Sequence, residues 1–325
     1  MRKFLALTLC LLTVIPMALV GCGKTEPATV KFGAGEYISA PTTADATEDK
    51  NGSGKLDVTY AAVTVDANGK IAACELDTAS NTVNFTADGK AVANNEFKTK
   101  YELGNDYNMV KYGGSAKEWF EQADAFEKVV VGKTLDEVKA LVVNGDKGTD
   151  EVLTAGCTIT ITDFVAAIEK AYNAATVEVK ADAAIKVRIA TEQTLTDATE
   201  EKNGSNKISV YAFAAATDAE GKALAASSDC VEVSFTFDAA GVATLDTTKA
   251  VVSKKNQGSN YGMVAYGGAT KEWFEQAAAF DAACIGKTAS EIAGLVAADG
   301  KGTDDLQSAG CTIYVTGFVK AASKN

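Results

Sequence analysis

The chain contains no histidine, and this absence excludes several kinds of chemistry. Ser-His and Cys-His catalytic pairs, c-type haem ligation and most zinc and copper sites all need an imidazole. A surface hydrolase is therefore disfavoured. A redox function would need an organic cofactor, and we predict neither catalytic residues nor a metal site.

Cysteine is also scarce, with 7 in 325 residues. The cysteines beyond residue 22 are Cys74, Cys157, Cys230, Cys284 and Cys311. Their number is odd, and their spacing matches no disulfide framework, zinc motif or iron–sulfur motif.

Positive charge is in the minority. The 31 basic residues face 43 acidic ones, which gives a formal net charge of −12. Such a surface repels nucleic acid and anionic lipid headgroups, so we expect no nucleic-acid partner. The hydrophobic content of 47% is typical of globular protein, and the length is sufficient for two domains.

The one long apolar run lies at the N-terminus. Arg2 and Lys3 precede apolar residues 4–20, and the run ends in Leu19-Val-Gly-Cys22. This ending resembles the bacterial lipobox, in which the cysteine is diacylated and becomes the new N-terminus. We therefore predict a lipoprotein signal peptide over 1–21, lipidation at Cys22 and an anchor linker over 22–30. Acyl chains would hold the protein on the outer, extracellular face of a bacterial cytoplasmic membrane. An ordinary signal peptide with an incidental cysteine is the alternative.

The remainder of the chain repeats itself. The nine residues from Asp45 return at Asp197, 152 positions later, and the sixteen residues from Tyr107 return at Tyr261, 154 positions later. Two tandem domains are predicted, over 31–173 and 179–325.

Each copy has β patterns first and helical patterns later, which indicates an α+β fold with an antiparallel sheet packed with helices. Strands are predicted over 56–65, 70–76 and 82–86, and over 208–216 and 231–237 in the second copy. Capping boxes that begin at Ser115, Thr134 and Thr288 predict helix starts.

A small-residue turn is the strongest candidate for chemistry. Thr154-Ala-Gly-Cys157-Thr158 and Ser308-Ala-Gly-Cys311-Thr312 each precede an amphipathic helix, with Thr162 and Thr316 as the predicted N-caps. A hydroxyl beside the free N–H groups of a helix start is favourably placed for a phosphate.

On these residues the chain resembles the FMN-binding domain family. In that family the threonine of Asp-x-x-Ser/Thr-Gly-Ala-Thr-x-Ser/Thr is esterified to FMN by a secreted flavin transferase. The turns here fit with cysteine in place of alanine, and Tyr314 replaces the final hydroxyl residue of the second copy. The resemblance implies two tandem FMN-binding-type domains and two covalent FMN groups, on Thr158 and Thr312. Thr154 and Ser308 are alternative acceptors.

The repeated Tyr-x-Met block offers stacking surfaces. Aromatic and thioether side chains flank Gly113-Gly114, and such surfaces hold planar heterocycles. For the tryptophans, burial in the helix core is the alternative. Lys100 and Lys254, upstream of the block, could neutralise a phosphodiester or reduced flavin, although solvated lysines are the default. The predicted cofactor-binding residues are Thr158, Thr312, Cys157, Cys311, Tyr107, Met109, Tyr261, Met263, Trp119 and Trp273.

The resemblance also implies a role. Surface flavoproteins of this kind carry electrons from a membrane NADH dehydrogenase, through a quinone, to extracellular acceptors such as ferric iron or free flavins. We expect an electron carrier rather than an enzyme that converts a substrate. The competing hypothesis is a non-redox surface lipoprotein that binds a small ligand or a peptide.

The lipidation hypothesis can be tested by changing Cys22 to alanine. We expect Cys22→Ala protein to be released from membranes or to remain uncleaved, because the acyl acceptor is lost. Membrane fractionation and the mass of the mature chain measure this. A variant that matures and fractionates with the membrane like the wild type would contradict the hypothesis.

Overall fold

The computed structural model describes residues 28–94, 96–143 and 145–324. The predicted signal peptide and Cys22 lie outside the described residues. Within them the fold is α+β with antiparallel sheets.

The first repeat contributes six strands to one sheet. Its elements are β1 (Thr29–Ile38), β2 (Thr42–Ala44), β3 (Gly52–Val65), β4 (Ile71–Phe85), β5 (Ala91–Val92), α1 (Lys100–Leu103), α2 (Trp119–Val130), α3 (Leu135–Lys139), β6 (Val142–Val143), β7 (Lys147–Gly148), α4 (Asp150–Ala155), α5 (Thr162–Asn173) and β8 (Val177–Lys180). The strand order is β5-β4-β3-β1-β8, with β2 paired to β3 and with β6 and β7 forming a separate hairpin.

The second repeat forms a three-stranded sheet in the order β11-β10-β9. Its elements are β9 (Ala184–Thr196), β10 (Gly204–Thr217), β11 (Ala223–Phe237), α6 (Lys254–Gln257), α7 (Trp273–Cys284), α8 (Ala289–Ala293), α9 (Asp304–Ser308) and α10 (Thr316–Ala322). A short 3-10 helix follows α1 at Gly104–Tyr107, and another follows α6 at Gly258–Tyr261.

Several local predictions are confirmed and others need correction. The strand predicted over 56–65 lies within β3, which pairs with β4. In the turn between them the Asp66 carboxylate accepts the N–H groups of Asn68 and Lys70 at 2.9 and 2.8 Å. The strands predicted over 70–76 and 82–86 are one continuous strand, β4, because their polar middle lies inside the sheet. Strands β1 and β9 were not predicted.

Two of the three capping boxes are confirmed, at Thr134 and Thr288. The box predicted at Ser115 is wrong, because Glu118 is the N-cap of α2 and forms the box with Glu121.

Helices cover the outer face of each sheet. In the first repeat α5 packs on β1 and β3, and α2 packs on β4; in the second, α10 and α7 take the corresponding positions. Phe126 and Phe164 are buried beneath the first set, and Phe280 and Phe318 beneath the second. No helix in the described part of the chain has the length and apolar character needed to cross a bilayer.

The inner faces of the two sheets pack against each other. Phe32 and Val58 from the first sheet share one hydrophobic core with Val210 and Phe235 from the second. The molecule is therefore layered as helices, sheet, sheet and helices. A repeat separated from the other would expose its side of this shared core.

An internal two-fold relation organises the contact between the sheets. Phe85 stacks on Phe237, its equivalent 152 positions later, with ring centroids 4.4 Å apart and planes 8° from parallel. The Ala46 N–H donates to the Gly241 carbonyl at 2.8 Å, and the equivalent Ala198–Gly89 bond has the same length.

The same relation governs two aspartates. The Ala243 N–H donates to Asp45 at 2.8 Å, and the Ala91 N–H donates to Asp197 at 2.9 Å. The repeated Asp-Ala-Thr segment is thus a reciprocal interface, in which each repeat makes the same contact to the other.

The stacked pair provides a test of this interface. We expect Phe85→Leu and Phe237→Leu each to lower the free energy of unfolding by about 1–3 kcal/mol. The double variant should lose less than the sum, by about 0.5–1.5 kcal/mol, because either change alone already breaks the stack. Denaturant unfolding measures all four proteins.

Phe126→Leu combined with Phe237→Leu is the control, and its losses should add within about 0.5 kcal/mol because these rings lie in different cores. Additive losses for the stacked pair would contradict the interface.

Candidate functional site

A buried glutamine holds each candidate acceptor threonine. Gln122 lies in the first turn of α2, and its side-chain oxygen accepts two hydrogen bonds from Thr158: the N–H at 2.8 Å and the hydroxyl at 3.0 Å. The amide nitrogen of Gln122 donates to the Lys117 carbonyl and to the Ser115 hydroxyl, each at 3.0 Å. These bonds orient the amide so that its oxygen faces the threonine.

The second repeat has the same arrangement. The Gln276 oxygen accepts from the Thr312 N–H at 2.8 Å and from its hydroxyl at 2.9 Å. The Gln276 nitrogen donates to the Lys271 carbonyl at 3.0 Å. Each threonine hydroxyl donates its hydrogen to the glutamine, so the lone pairs of the hydroxyl oxygen remain free. Both threonine side chains are exposed to solvent.

A lysine lies across each turn. The ammonium groups of Lys117 and Lys271 donate to the Ala155 and Ala309 carbonyls at 3.4 Å. The glycine that follows, Gly156 in the first copy, has φ of 101°, and a Cβ there would collide with the lysine. The left-handed φ is what requires glycine, and the lysine places a positive charge on the turn that carries the threonine, which suits an anionic ligand.

The helix that follows the turn begins differently from the sequence prediction. Thr162 is the first residue of α5 rather than its N-cap, and Ile161 occupies the cap position without a side-chain bond. The Thr162 hydroxyl instead donates to Asp146 at 2.9 Å. In the second copy, the Thr316 hydroxyl donates to the Gly300 carbonyl at 3.1 Å, and Val315 is the cap.

A buried glutamate fixes the loop that carries the candidate methionine. Glu118 accepts the N–H groups of Met109 and Val110 at 2.8 and 3.1 Å, and it also caps α2. Glu272 accepts those of Met263 and Val264 at 2.9 and 3.2 Å. The loop is therefore attached to the same helix that positions the glutamine.

In each copy, the candidate tyrosine and tryptophan rings lie close to the same lysine ammonium group. The Lys100 ammonium lies 5.6 Å from the ring centroids of both Tyr107 and Trp119. In the second copy, Lys254 lies 5.3 Å from Tyr261 and 5.8 Å from Trp273. The structure thus places the predicted tyrosine, tryptophan and lysine of each copy in one cluster.

The tryptophans and cysteines are mostly core. Trp119 and Trp273 are each 4% exposed and pack against phenylalanines of the outer helical layers. Cys157 and Cys311 are fully buried, and burial raises the pKa of each thiol to about 11. The cysteine side chains fill the cores beneath the turns. The predicted residues that are accessible enough to contact a cofactor are the half-buried tyrosines and methionines.

A groove of about 1270 Å³ passes the second site. Thr312, Tyr261, Met263, Trp273 and Lys254 all line it. From the first repeat, the wall includes Ala93, Asn94, Glu96, Phe97 and Lys98. The predicted residues of the second copy thus share one ligand-sized space.

The two sites differ in the position of the carboxylate near the lysine. Glu232 forms an ion pair with Lys254 at 2.9 Å, and the hydrogen bond from that lysine lowers the pKa of Glu232 despite the opposing effect of burial. The first copy has Ser80 at the position of Glu232. There Asp163 is the carboxylate near Lys100, and burial raises its pKa.

The space occupied by Asp163 is filled by an aromatic ring in the second copy. Gly317 replaces Asp163, and a Cβ on this glycine would collide with the ring of Tyr211. The second groove is therefore more aromatic than its counterpart.

Three site residues of each repeat were not predicted from the sequence: the glutamine, the lysine over the turn and the glutamate. They are Gln122, Lys117 and Glu118, with Gln276, Lys271 and Glu272. All lie in Lys-Glu-Trp-Phe-Glu-Gln, which is identical in both copies, so the repeated identity was a usable signal.

Comparison with known proteins adds no family: the chain matches no family model, no curated protein and no solved structure. The assignment of the site therefore depends on its geometry and on its occurrence in both repeats.

A buried aspartate positions the lysine of the first site, and it makes stability depend on pH. Asp77 accepts the Tyr101 N–H at 3.3 Å at the start of α1, which carries Lys100. Burial raises the pKa of Asp77 to about 7, against about 3.9 in an unfolded chain. The folded state binds this proton more tightly, so the stabilisation is present below about pH 4 and is lost as the pH rises through 7.

We therefore expect the free energy of unfolding to fall between pH 5 and pH 8, by up to about 3 kcal/mol for this group. Asp77→Asn should show a shallower fall, because asparagine keeps an acceptor oxygen but does not titrate. Denaturant unfolding at several pH values measures both. Parallel curves for the two proteins would rule out Asp77 as the cause.

Proposed function

We propose that the chain is a membrane-anchored extracytoplasmic electron carrier that holds two covalent FMN groups, one on Thr158 and one on Thr312. The supporting observation is the duplicated arrangement in which a buried glutamine accepts the hydroxyl hydrogen of an exposed threonine beside a lysine. Each repeat would then be an FMN-binding-type domain.

The arrangement suits a phosphoester acceptor for three physical reasons. The hydroxyl is exposed, so an external flavin transferase can reach it. Its oxygen has free lone pairs, because the hydrogen points to Gln122 or Gln276. The ammonium of Lys117 or Lys271 attracts the anionic phosphate.

The same criteria separate the alternative acceptors. Thr154 and Ser308 are also exposed, but they lie on the last turns of α4 and α9. Neither is a partner of the buried glutamines, and the orientation of the hydroxyl therefore favours Thr158 and Thr312.

The residues around each threonine fit the rest of a flavin. Tyr261 and Met263 are half-buried in the groove beside Thr312, where they can contact a planar ring, and Lys254 can stabilise negative charge on it. The equivalent residues of the first site are Tyr107, Met109 and Lys100. Bound FMN would supply the transfer of one or two electrons.

The physiological setting follows from the predicted anchor. Electrons would arrive from a membrane NADH dehydrogenase through a quinone and leave to extracellular acceptors. A covalent tether suits this setting, because free FMN would diffuse away outside the cell. A non-redox lipoprotein whose groove binds a small ligand or peptide is the alternative.

The acceptor assignment is tested by substitution and intact mass. After expression with a flavin transferase, Thr158→Ala and Thr312→Ala should each lose one FMN equivalent, and the double variant should carry none while remaining folded. Each change removes one half-buried hydrogen bond, from the threonine hydroxyl to the glutamine, and should cost about 0.5–1.5 kcal/mol.

Two controls make the result specific. Thr158→Ser keeps the hydroxyl and should retain flavin, and Thr154→Ala should load normally. Two flavins on the folded double variant would exclude these acceptors, and peptide mapping would then locate the modified residues.

A further inference from the structure

A second cavity, of about 940 Å³, lies between the two repeats and apart from the threonine sites. We call it the inter-sheet cavity. Its walls are largely apolar and include Phe32, Ile38, Ala214, Val251 and Val252. Three polar side chains from the inner faces of the sheets also line it: Glu36, Tyr60 and Asp229.

These three side chains are nearly inaccessible to solvent. Glu36, Tyr60 and Asp229 are 3%, 4% and 6% exposed. The Asn256 side chain donates to Glu36 at 2.6 Å, and Asp229 accepts the N–H groups of Cys230 and Lys255 at 2.7 and 3.1 Å. The Tyr60 hydroxyl has no hydrogen-bond partner within the described residues. A buried polar group without a partner is costly, so this hydroxyl would gain stability from a ligand that hydrogen-bonds to it.

The internal two-fold relation shows that the fold does not require these groups. Glu36 pairs with Tyr60 across β1 and β3, and the equivalent pair across β9 and β10 is Ile189 with Ala212. The second repeat thus has an apolar pair where the first has a carboxylate and a phenol. An apolar pair is therefore sufficient for the sheet to form at this position.

The equivalent space in the other half is closed. Only about 80 Å³ remains around Asp77, the counterpart of Asp229. Lys186 and Arg188 line it where the open cavity has Gly33 and Gly35, and Lys186 is paired with Glu75 at 3.0 Å. At the closed position Arg188 is also unmatched, because its buried Nε has no hydrogen-bond partner within the described residues. The two related positions differ in their open volume and in the carboxylate–phenol pair, which only the inter-sheet cavity has.

The chemistry of the lining selects a cation. Lys170 and Lys255 also line the cavity, but neither forms an ion pair with Glu36 or Asp229 within the described residues, and the Lys255 ammonium donates to Ser227 at 2.7 Å. The two buried carboxylates therefore have no paired cation, although the charge of Lys255 opposes the effect of burial on the pKa of Asp229. Burial and the charge of Glu36 together raise the pKa of Asp229 to about 7, which a bound cation would reverse. The described residues include no cluster of three or more His, Cys, Asp or Glu side chains that could hold a metal ion, so an organic cation is favoured.

We propose that the inter-sheet cavity binds a small amphiphilic amine. The ammonium group lies between Glu36 and Asp229 and donates to the Tyr60 hydroxyl, and the apolar body lies against Phe32 and Ile38. This site is separate from the proposed flavin sites, and its occupation requires no flavin.

Isothermal titration calorimetry with 4-phenylbutylamine tests the proposal, with 4-phenylbutanol as the neutral probe of the same shape. We expect saturable binding of one amine per chain and binding of the alcohol at least about tenfold weaker, because the alcohol cannot pair with the carboxylates. Glu36→Gln should weaken amine binding by about tenfold or more. Glu75→Gln makes the same change beside the closed counterpart and should leave it unaltered.

Tyr60→Phe keeps the test informative if Glu36→Gln fails to fold. It removes an unpaired hydroxyl, so the Tm should be unchanged or higher, while amine affinity should fall roughly three- to tenfold. Absence of saturable amine binding, equal affinity for the amine and the alcohol, or unchanged affinity in folded Tyr60→Phe protein would each overturn the proposal.

Discussion

The packing of one sheet against the other is the constraint on which the rest of the structure depends. Because each inner face is buried in a shared core, only the outer faces are free to receive helices. The stacked rings of Phe85 and Phe237 and the exchanged backbone bonds fix one repeat against the other. The threonine turns consequently lie in the outer layers, within reach of solvent, and the inter-sheet cavity opens where the internal symmetry is broken.

One helix start organises each threonine site. The segment Lys-Glu-Trp-Phe-Glu-Gln supplies the lysine over the turn, the glutamate that holds the methionine loop, the core tryptophan and the glutamine that accepts from the threonine. Its identity in both copies follows from this combination, since each position has a separate partner. The residues that differ between the copies, such as Asp163 and Gly317, lie on other elements. They change the position of the carboxylate and leave the contacts of this segment the same.

Much of this was accessible from the sequence. The internal repeat, the α+β class and the capping boxes at Thr134 and Thr288 follow from local patterns, which act over a few residues. The bond from Thr158 to Gln122 joins residues 36 positions apart, and no local pattern reports it. Strand β1 escaped prediction because its glycines, required by the close approach of α5, mask the β pattern. The Glu36–Tyr60 pair was invisible because its meaning depends on the opposite sheet.

The central claim is that both repeats carry covalent flavin, and the most direct measurement is the flavin that stays with the chain after denaturation. Protein produced together with a flavin transferase should be unfolded in guanidinium chloride and separated from small molecules, and its absorbance and intact mass then recorded. The account predicts two FMN equivalents that remain attached to the unfolded chain. A colourless chain of unmodified mass would contradict it.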